Sequence, residues 1–413
     1  MDIYLVYVVC ALLLLVGVKY AGIKKFNDDY LSLDASKAIQ GFAAIVIIFH
    51  HISQRVSQDG SIQTPINFFV NIGAYCVAIF FFCSGYGLIK SKDKKEGYMK
   101  SFLWKRLVVL LLPFFVINGF YVLVAQIFMK ANFSPFTIFS YVVGLKLVTG
   151  DGWYVITSLI MYIAFLLINL KNKKKAIYII TSLIMYIAFF LFFRFINKKF
   201  EWIAFVGMFL MVPLYVVLCL SKGHGDGSNL FQGEWFYNTV LLMPIGMVWA
   251  RLENKLVPLI KKVYWILLPV FGALTFFTYK WSMEVLSNPG YWSEYMHPGD
   301  PRYGDKLLCY GAQSLAFICF ILFLVLLLMK VRINNKVLAF LGGLTLEIYL
   351  SQRFFISNIL PMYNNKDGIF IGIFAIVCSS VVLAYLFHVL CGLVINPIKK
   401  LGSKKPAVDK TKK

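Results

Sequence analysis

GFAAIVIIFHHISQ, the stretch from Gly41 to Gln54, is where the fold can first be read. Its small and branched apolar residues suit a membrane helix, yet it closes on two adjacent histidines, side chains that change charge near neutral pH. A helix starting near Lys37 on the cytoplasmic side and rising about 1.5 Å per residue carries His51 about 20 Å, into the outer half of a hydrocarbon core about 30 Å thick. With a turn of about 100° per residue, Gln40 and His51 differ by about 20° and share a face with Lys37 one turn earlier, while His50 points about 100° away from His51. His51 is the better inward candidate. The plainer alternative is a histidine pair that ends a helix at the membrane interface.

Working outward, 60% of the 413 residues are hydrophobic and 15% charged, against about 45–50% and about 25% in soluble domains. This composition belongs to an integral membrane protein with no independent soluble domain. The net charge of +22 raises the question of nucleic acid, but the basic residues cluster in short loops between apolar runs, so the excess reports topology and implies no nucleic-acid partner. Twelve apolar runs approach span length: 3–23, 38–52, 66–89, 107–128, 153–170, 176–196, 203–220, 235–250, 264–280, 307–329, 337–358 and 369–395. Basic loops at 90–106, 171–175, 251–262 and 330–336 and the tail 399–413 read as cytoplasmic, and Lys24 and Lys25 after the first run put the N-terminus outside. An outside N-terminus and an inside C-terminus need an odd number of crossings. The expectation is an all-α polytopic bundle of about 11 transmembrane helices, within 10–12, in the plasma membrane. It divides into an extra N-terminal helix and loop (1–30), the bundle (31–398) and a basic cytoplasmic tail (399–413).

The count is contested between Lys175 and Glu234. There the decapeptide ITSLIMYIAF of 156–165 recurs at 180–189, which suggests tandem duplication of a helix and its basic loop. One of the segments 176–196 and 203–220 is then re-entrant or interfacial. The N-terminal run lacks a basic region before it and a small-residue cleavage site after it, so it reads as a retained helix. The eight cysteines lie in or beside apolar segments without metal-ligand spacing, and neither a disulfide framework nor a metal site is implied.

Several polar groups interrupt the apolar pattern. The third run closes on Ser84, Gly85, Tyr86 and Gly87, where small residues let backbones or a ligand approach and Ser84 and Tyr86 can hydrogen-bond inside a protein-lined cavity. Lys105 and Arg106 enter the next helix at the cytoplasmic surface, placed either to hold an anionic phosphate or simply to anchor the helix. Trp153 and Tyr154 open an outer helix end, as an acceptor floor or as interfacial anchors. Glu294, His297, Asp300, Arg302 and Asp305 fall among aromatics in the outer loop 281–305, a composition suited to sugars and equally to a solvated loop.

The fragments KAIQGFAAIVIIFHHISQ (37–54), IFFFCSGYGLIKS (79–91), the KR before LLLPFF (105–115), GDGWYVITSLIMY (150–162), LLMPIGMVWARLENK (241–255) and LGGLTLEIYLSQ (341–352) occur in an order that resembles the membrane-bound acyltransferase 3 family. The resemblance implies an O-acyltransferase that moves an acyl group, usually acetyl, from cytoplasmic acyl-CoA to a hydroxyl of an extracytoplasmic surface glycan or lipid-linked sugar. Acyl-CoA is then a donor substrate, with no tightly bound cofactor. The family carries a basic residue eleven positions before an essential histidine. Here the histidine is His51, Gln40 stands at the basic position, and Lys37 is the nearest substitute. Gln352 occupies a place where the family often has histidine, with Glu347 and Tyr349 before it. On this reading His51 activates the acceptor hydroxyl or carries the acyl group, with His50 beside it, and Lys37 or Gln40 polarises the thioester. Lys105 and Arg106, with Ser84 and Tyr86, receive the CoA, and Trp153, Tyr154 and Glu347 face the acceptor. The competing reading is a transporter or exporter of a glycan or small solute with the histidines as proton relay. Oligomeric state is not implied by either.

Overall fold

The computed structural model describes residues 4–58, 65–95, 98–169, 212–223, 236–287, 290–363 and 369–401. The helices are α1 (Tyr4–Leu15), α2 (Leu33–Gln58), α3 (Gly73–Lys94), α4 (Val108–Phe128), α5 (Pro135–Val142), α6 (Trp153–Asn169), α7 (Leu242–Ser287), α8 (Tyr303–Lys330), α9 (Lys336–Leu341), α10 (Thr345–Ile359) and α11 (Ile369–Leu401), with a further helical stretch at 212–220. Among the described residues the protein is an all-helical membrane protein apart from one antiparallel ribbon, in which β1 (Val18–Tyr20) pairs with β2 (Val331–Ile333).

Burial sorts the helices by their sequence. In α2 every residue from Ala43 to Phe49 is buried, and α3 is likewise closed from Tyr75 to Phe82. Helices apolar on all sides and covered on all sides form the centre of the bundle. The spans of α4 and α11 are only 33% buried against 72% for α2, which puts them at the lipid-facing rim.

Glycine sets how closely the central helices approach. Gly41 of α2 lies on the Leu338 carbonyl while Gly342 lies on the Lys37 carbonyl; Gly85 of α3 lies on the Met243 carbonyl while Gly246 of α7 lies on the Phe82 carbonyl. A Cβ at any of the four would strike backbone, so each crossing is a reciprocal small-residue contact. Gly85→Val should therefore cost roughly 1–3 kcal/mol or more, because a backbone carbonyl cannot step aside as a side chain can. A melting curve in detergent that matches wild type would remove this account of the SGYG segment.

Six helices among the described residues are long and apolar enough to cross a membrane, and two shorter apolar ones, Tyr4–Leu15 and Gly150–Leu166, accompany them. The expected spans 235–250 and 264–280 are joined here without a loop: the basic segment 251–262 is itself helical, and α7 runs 46 residues with its break at Val263 (φ −115°, ψ 18°), between Pro258 and Pro269. A straight helix of that length would reach about 70 Å, more than twice the hydrocarbon core, so the bend is obligatory. Its first part follows α3 toward Asp93, which Arg251 meets at 3.2 Å, and its second part follows α8 back from Leu326 to Cys309. The expected span 337–358 is divided into α9 and α10 by a turn at Gly342–Leu344. Segment 176–196, the half of 203–220 before residue 212, the second ITSLIMYIAF copy, His224 and residues 402–413 lie outside the described residues, so the count of eleven is not reached or refuted there.

The basic loops 90–106, 251–262 and 330–336 and the segment after α1 gather at one end of the bundle. Lys261 pairs with Asp28 at 2.9 Å, Arg332 with Asp29 at 2.9 Å, and Lys19 is registered with Arg332 in the ribbon. Two buried lysines secure the two ends of α8. Lys330 Nζ donates to the carbonyls of Gly22, Ile23 and Lys25 at 3.0, 2.6 and 2.8 Å and lies 3.7 Å from the Phe26 ring centre. Lys306 Nζ, at the other end, donates to the carbonyls of Lys222, Glu294 and Met296 at 2.7, 3.2 and 3.0 Å. In both places converging peptide carbonyl dipoles help to solvate the buried ammonium.

Candidate active site

At the end of α2 away from the basic loops, the His51 side chain turns into the bundle and is 10% exposed. Its Nε2 stands 3.8 Å from Asp151 Oδ1, longer than a hydrogen bond and short enough for a strong electrostatic contact in a dry surrounding. Asp151 sits in the 3₁₀ turn Gly150–Gly152 that opens α6, and its carboxylate is 3% exposed. From α10, Arg353 grips that carboxylate with both prongs, Nη2 to Oδ1 at 2.9 Å and Nε to Oδ2 at 3.1 Å. A buried carboxylate needs such a partner to stay ionised. The ring therefore faces an anion already held in place, which can offset the charge that the imidazole acquires on taking a proton.

The turn carrying Gln352 and Arg353 is shaped by α4. The Tyr121 hydroxyl inserts into the α10 ladder, accepting from the Phe354 N–H at 3.0 Å and donating to the Leu350 carbonyl at 3.1 Å. Gln352 is wholly buried, and its Nε2 donates to the Tyr349 carbonyl at 3.1 Å. The Tyr349 ring lies 6.4 Å from the His51 ring and 5.6 Å from Tyr154. Trp153 backs onto Phe236 at 5.8 Å and Phe81 at 6.4 Å and also reaches Tyr349, so both aromatics expected at the acceptor floor connect to the histidine through Tyr349.

From there a polar seam runs toward the basic end. Tyr154, Ser158 and Tyr162 recur every fourth residue on one face of α6. The Tyr162 hydroxyl meets Ser84 Oγ at 2.8 Å. Beyond it lies Arg106, in the π-helical turn Leu103–Leu107 that precedes α4, with its Nε donating to the Tyr98 hydroxyl at 2.9 Å. Gly87 faces this guanidinium, since a Cβ there would meet Nη2 at 3.9 Å. Tyr86 turns the other way, into a cluster around Glu253: it donates to Oε2 at 3.0 Å, Tyr30 donates to the same oxygen at 3.3 Å, and Lys90 is ion-paired with Oε1. Burial holds the Tyr30 phenol above the ordinary tyrosine range, so it donates to the carboxylate as a neutral group. Lys105 is half-buried beside Arg106.

Of the other expected site residues, His50 is near, its ring centre 5.0 Å from that of His51, but it is engaged elsewhere, and the rest stand apart. His50 Nδ1 is bonded to the Phe69 carbonyl at 3.0 Å, and its ring fills the space left by Gly73. The Gln40 amide turns back to the Ser36 carbonyl at 3.0 Å. Gln40 and Lys37 lie about 16 and about 21 Å from His51 along α2, so neither touches a carbonyl held at that ring. Glu347 pairs with His388 Nδ1 at 2.9 Å, on the contact between α10 and α11. In the outer loop, Asp300 accepts from the His297 N–H at 2.7 Å and Arg302 meets Asp305 at 2.9 Å, so these charges are engaged within the loop. Asp151 and Arg353, the nearest charges to His51, were not among the expected residues. Their signal was present: Asp151 is the acid of GDGWY, and Arg353 is a lone cation inside an apolar helix, a placement that asks for a partner.

Comparison with protein families matches residues 32–389 to a family model described as an acyltransferase domain. No curated protein and no solved structure matches the chain.

Proposed function

Because this chain belongs to the acyltransferase 3 family, we propose that it carries an acyl group, acetyl in the simplest case, from acyl-CoA at its basic end to a hydroxyl of a surface glycan or lipid-linked sugar at the opposite end. The observation that carries the reading is the inward His51 ring beside the Asp151–Arg353 pair, joined by Tyr349, Tyr154 and Tyr162 to Ser84 and Arg106. The basic end corresponds to the cytoplasm by the positive-inside rule, which suits a soluble anionic donor. In the reaction His51 takes the proton of the acceptor hydroxyl, and the oxygen attacks the thioester carbonyl. The new C–O bond forms, the C–S bond breaks, and the departing thiolate recovers its proton from the imidazolium. Asp151 stabilises the imidazolium between those steps, and Arg353 is the cation nearest the developing charge.

Purified protein in nanodiscs, given labelled acetyl-CoA and extracted surface glycan, should label the glycan and release CoA in equal amounts. Absence of both with a glycan from the native cell would overturn the reading. Arg106→Gln should raise KM for acetyl-CoA about tenfold with little change in kcat, the pattern of a lost binding contact. An unchanged KM would move the donor site elsewhere.

A further inference from the structure

Two buried acceptor atoms beside the reacting ring have no partner. A carboxylate only accepts, so the field of Asp151, 3.8 Å from Nε2, favours the tautomer with hydrogen on Nε2, and in that tautomer Nδ1 presents a lone pair. The Gln352 amide is oriented by its Nε2 bond to the Tyr349 carbonyl, which leaves Oε1 as its free end. Gln352 lies within hydrogen-bonding reach of the His51 ring. Yet His51 Nδ1 and Gln352 Oε1 are both buried without a hydrogen-bond partner. In the tautomer that Asp151 favours, two adjacent side chains thus offer acceptors, with no donor between them.

A single reacting alcohol has one O–H and satisfies only one of these atoms. The second asks for another O–H close to the first. We propose that His51 Nδ1 and Gln352 Oε1 form a paired site for a vicinal diol, with the reacting hydroxyl on Nδ1 and its neighbour on Oε1. The inference rests on the acyl-transfer reading and narrows its acceptor to molecules with hydroxyls on adjacent carbons. In the transfer step the proton of the first hydroxyl passes to Nδ1 as its oxygen bonds to the acyl carbon, and the second hydroxyl keeps its proton throughout. Gln352 touches the acceptor and fixes which hydroxyl reacts.

The test compares trans-1,2-cyclohexanediol with cyclohexanol on intact protein in nanodiscs, by acetyl-CoA turnover and by ¹⁵N spectra of histidine-labelled protein in which His51→Gln identifies the resonance. Wild type should show Nδ1 as the unprotonated nitrogen and should prefer the diol by at least roughly 10-fold, the scale on which a site built for a hydroxyl rejects a ligand lacking it. Gln352→Leu should erase that preference, read as the ratio of diol to cyclohexanol turnover in the same protein preparation. Gln352→Glu, which keeps an acceptor oxygen and the side-chain length, should retain it and guards against a merely unfolded leucine variant. Equal response to both alcohols in wild type, a preference surviving in Gln352→Leu, or a protonated Nδ1 would each overturn the proposal. If neither alcohol is acetylated, the acyl-transfer reading is decided by the extracted surface glycan, and the diol site by whether the His51 resonance moves with the diol alone.

Discussion

His51→Ala is expected to lower acyl transfer by about 10²- to 10⁴-fold, the range contributed by a positioned general base. No other imidazole stands ready to replace it among the described residues: His50 is tied to the Phe69 carbonyl, and His388 is paired with Glu347. The loss should fall on kcat, because the ring works on the proton in flight more than on the affinity for either substrate. His50→Ala is the matched control. It should unsettle the packing on Gly73 and lower the melting temperature while turnover falls far less. Equal turnover in wild type and His51→Ala, measured as labelled product at saturating acetyl-CoA, would remove the ring from the chemistry.

Substitution of Asp151 should damage both folding and turnover, and the two can be separated. Asp151→Ala strands the Arg353 guanidinium and removes the anion facing His51. Breaking a buried ion pair costs about 3–5 kcal/mol; because the Arg353 side chain is 43% exposed and keeps part of its hydration, about 3 kcal/mol or less is expected here. Asp151→Asn keeps the shape and a hydrogen-bond acceptor but not the charge, so turnover should drop about 10²-fold or more with a smaller loss of stability. Replacing both partners by leucine should recover much of the melting temperature and none of the turnover. A double variant as active as wild type would reduce the pair to packing.

The sequence carried the periodic parts of this molecule well. Gly41 to Gln54 is a central helix and its second histidine turns inward, as a 3.6-residue period requires. Gly85 is where backbones meet, and the basic loops 90–106, 251–262 and 330–336 share one end. The Asp151–Arg353 pair escaped because its members are 202 residues apart, and no local spacing announces a contact of that kind. The helical continuity of α7 escaped for a different reason. A charged, proline-bearing segment such as RLENKLVPLIKK reads as a loop when hydropathy is the guide, yet nothing in it forbids helix at a membrane surface where its charges reach water.

The two caged ammonium groups, at Lys306 and Lys330, make α8 a strut bolted at each end to a stretch of irregular chain. Its 28 residues span about 42 Å, longer than the oily interior they traverse. A thicker or thinner bilayer therefore cannot be accommodated by sliding this helix alone. Any tilt must drag the 290–296 loop and the 22–25 segment with it, so lipid thickness is mechanically coupled to both faces of the protein at once.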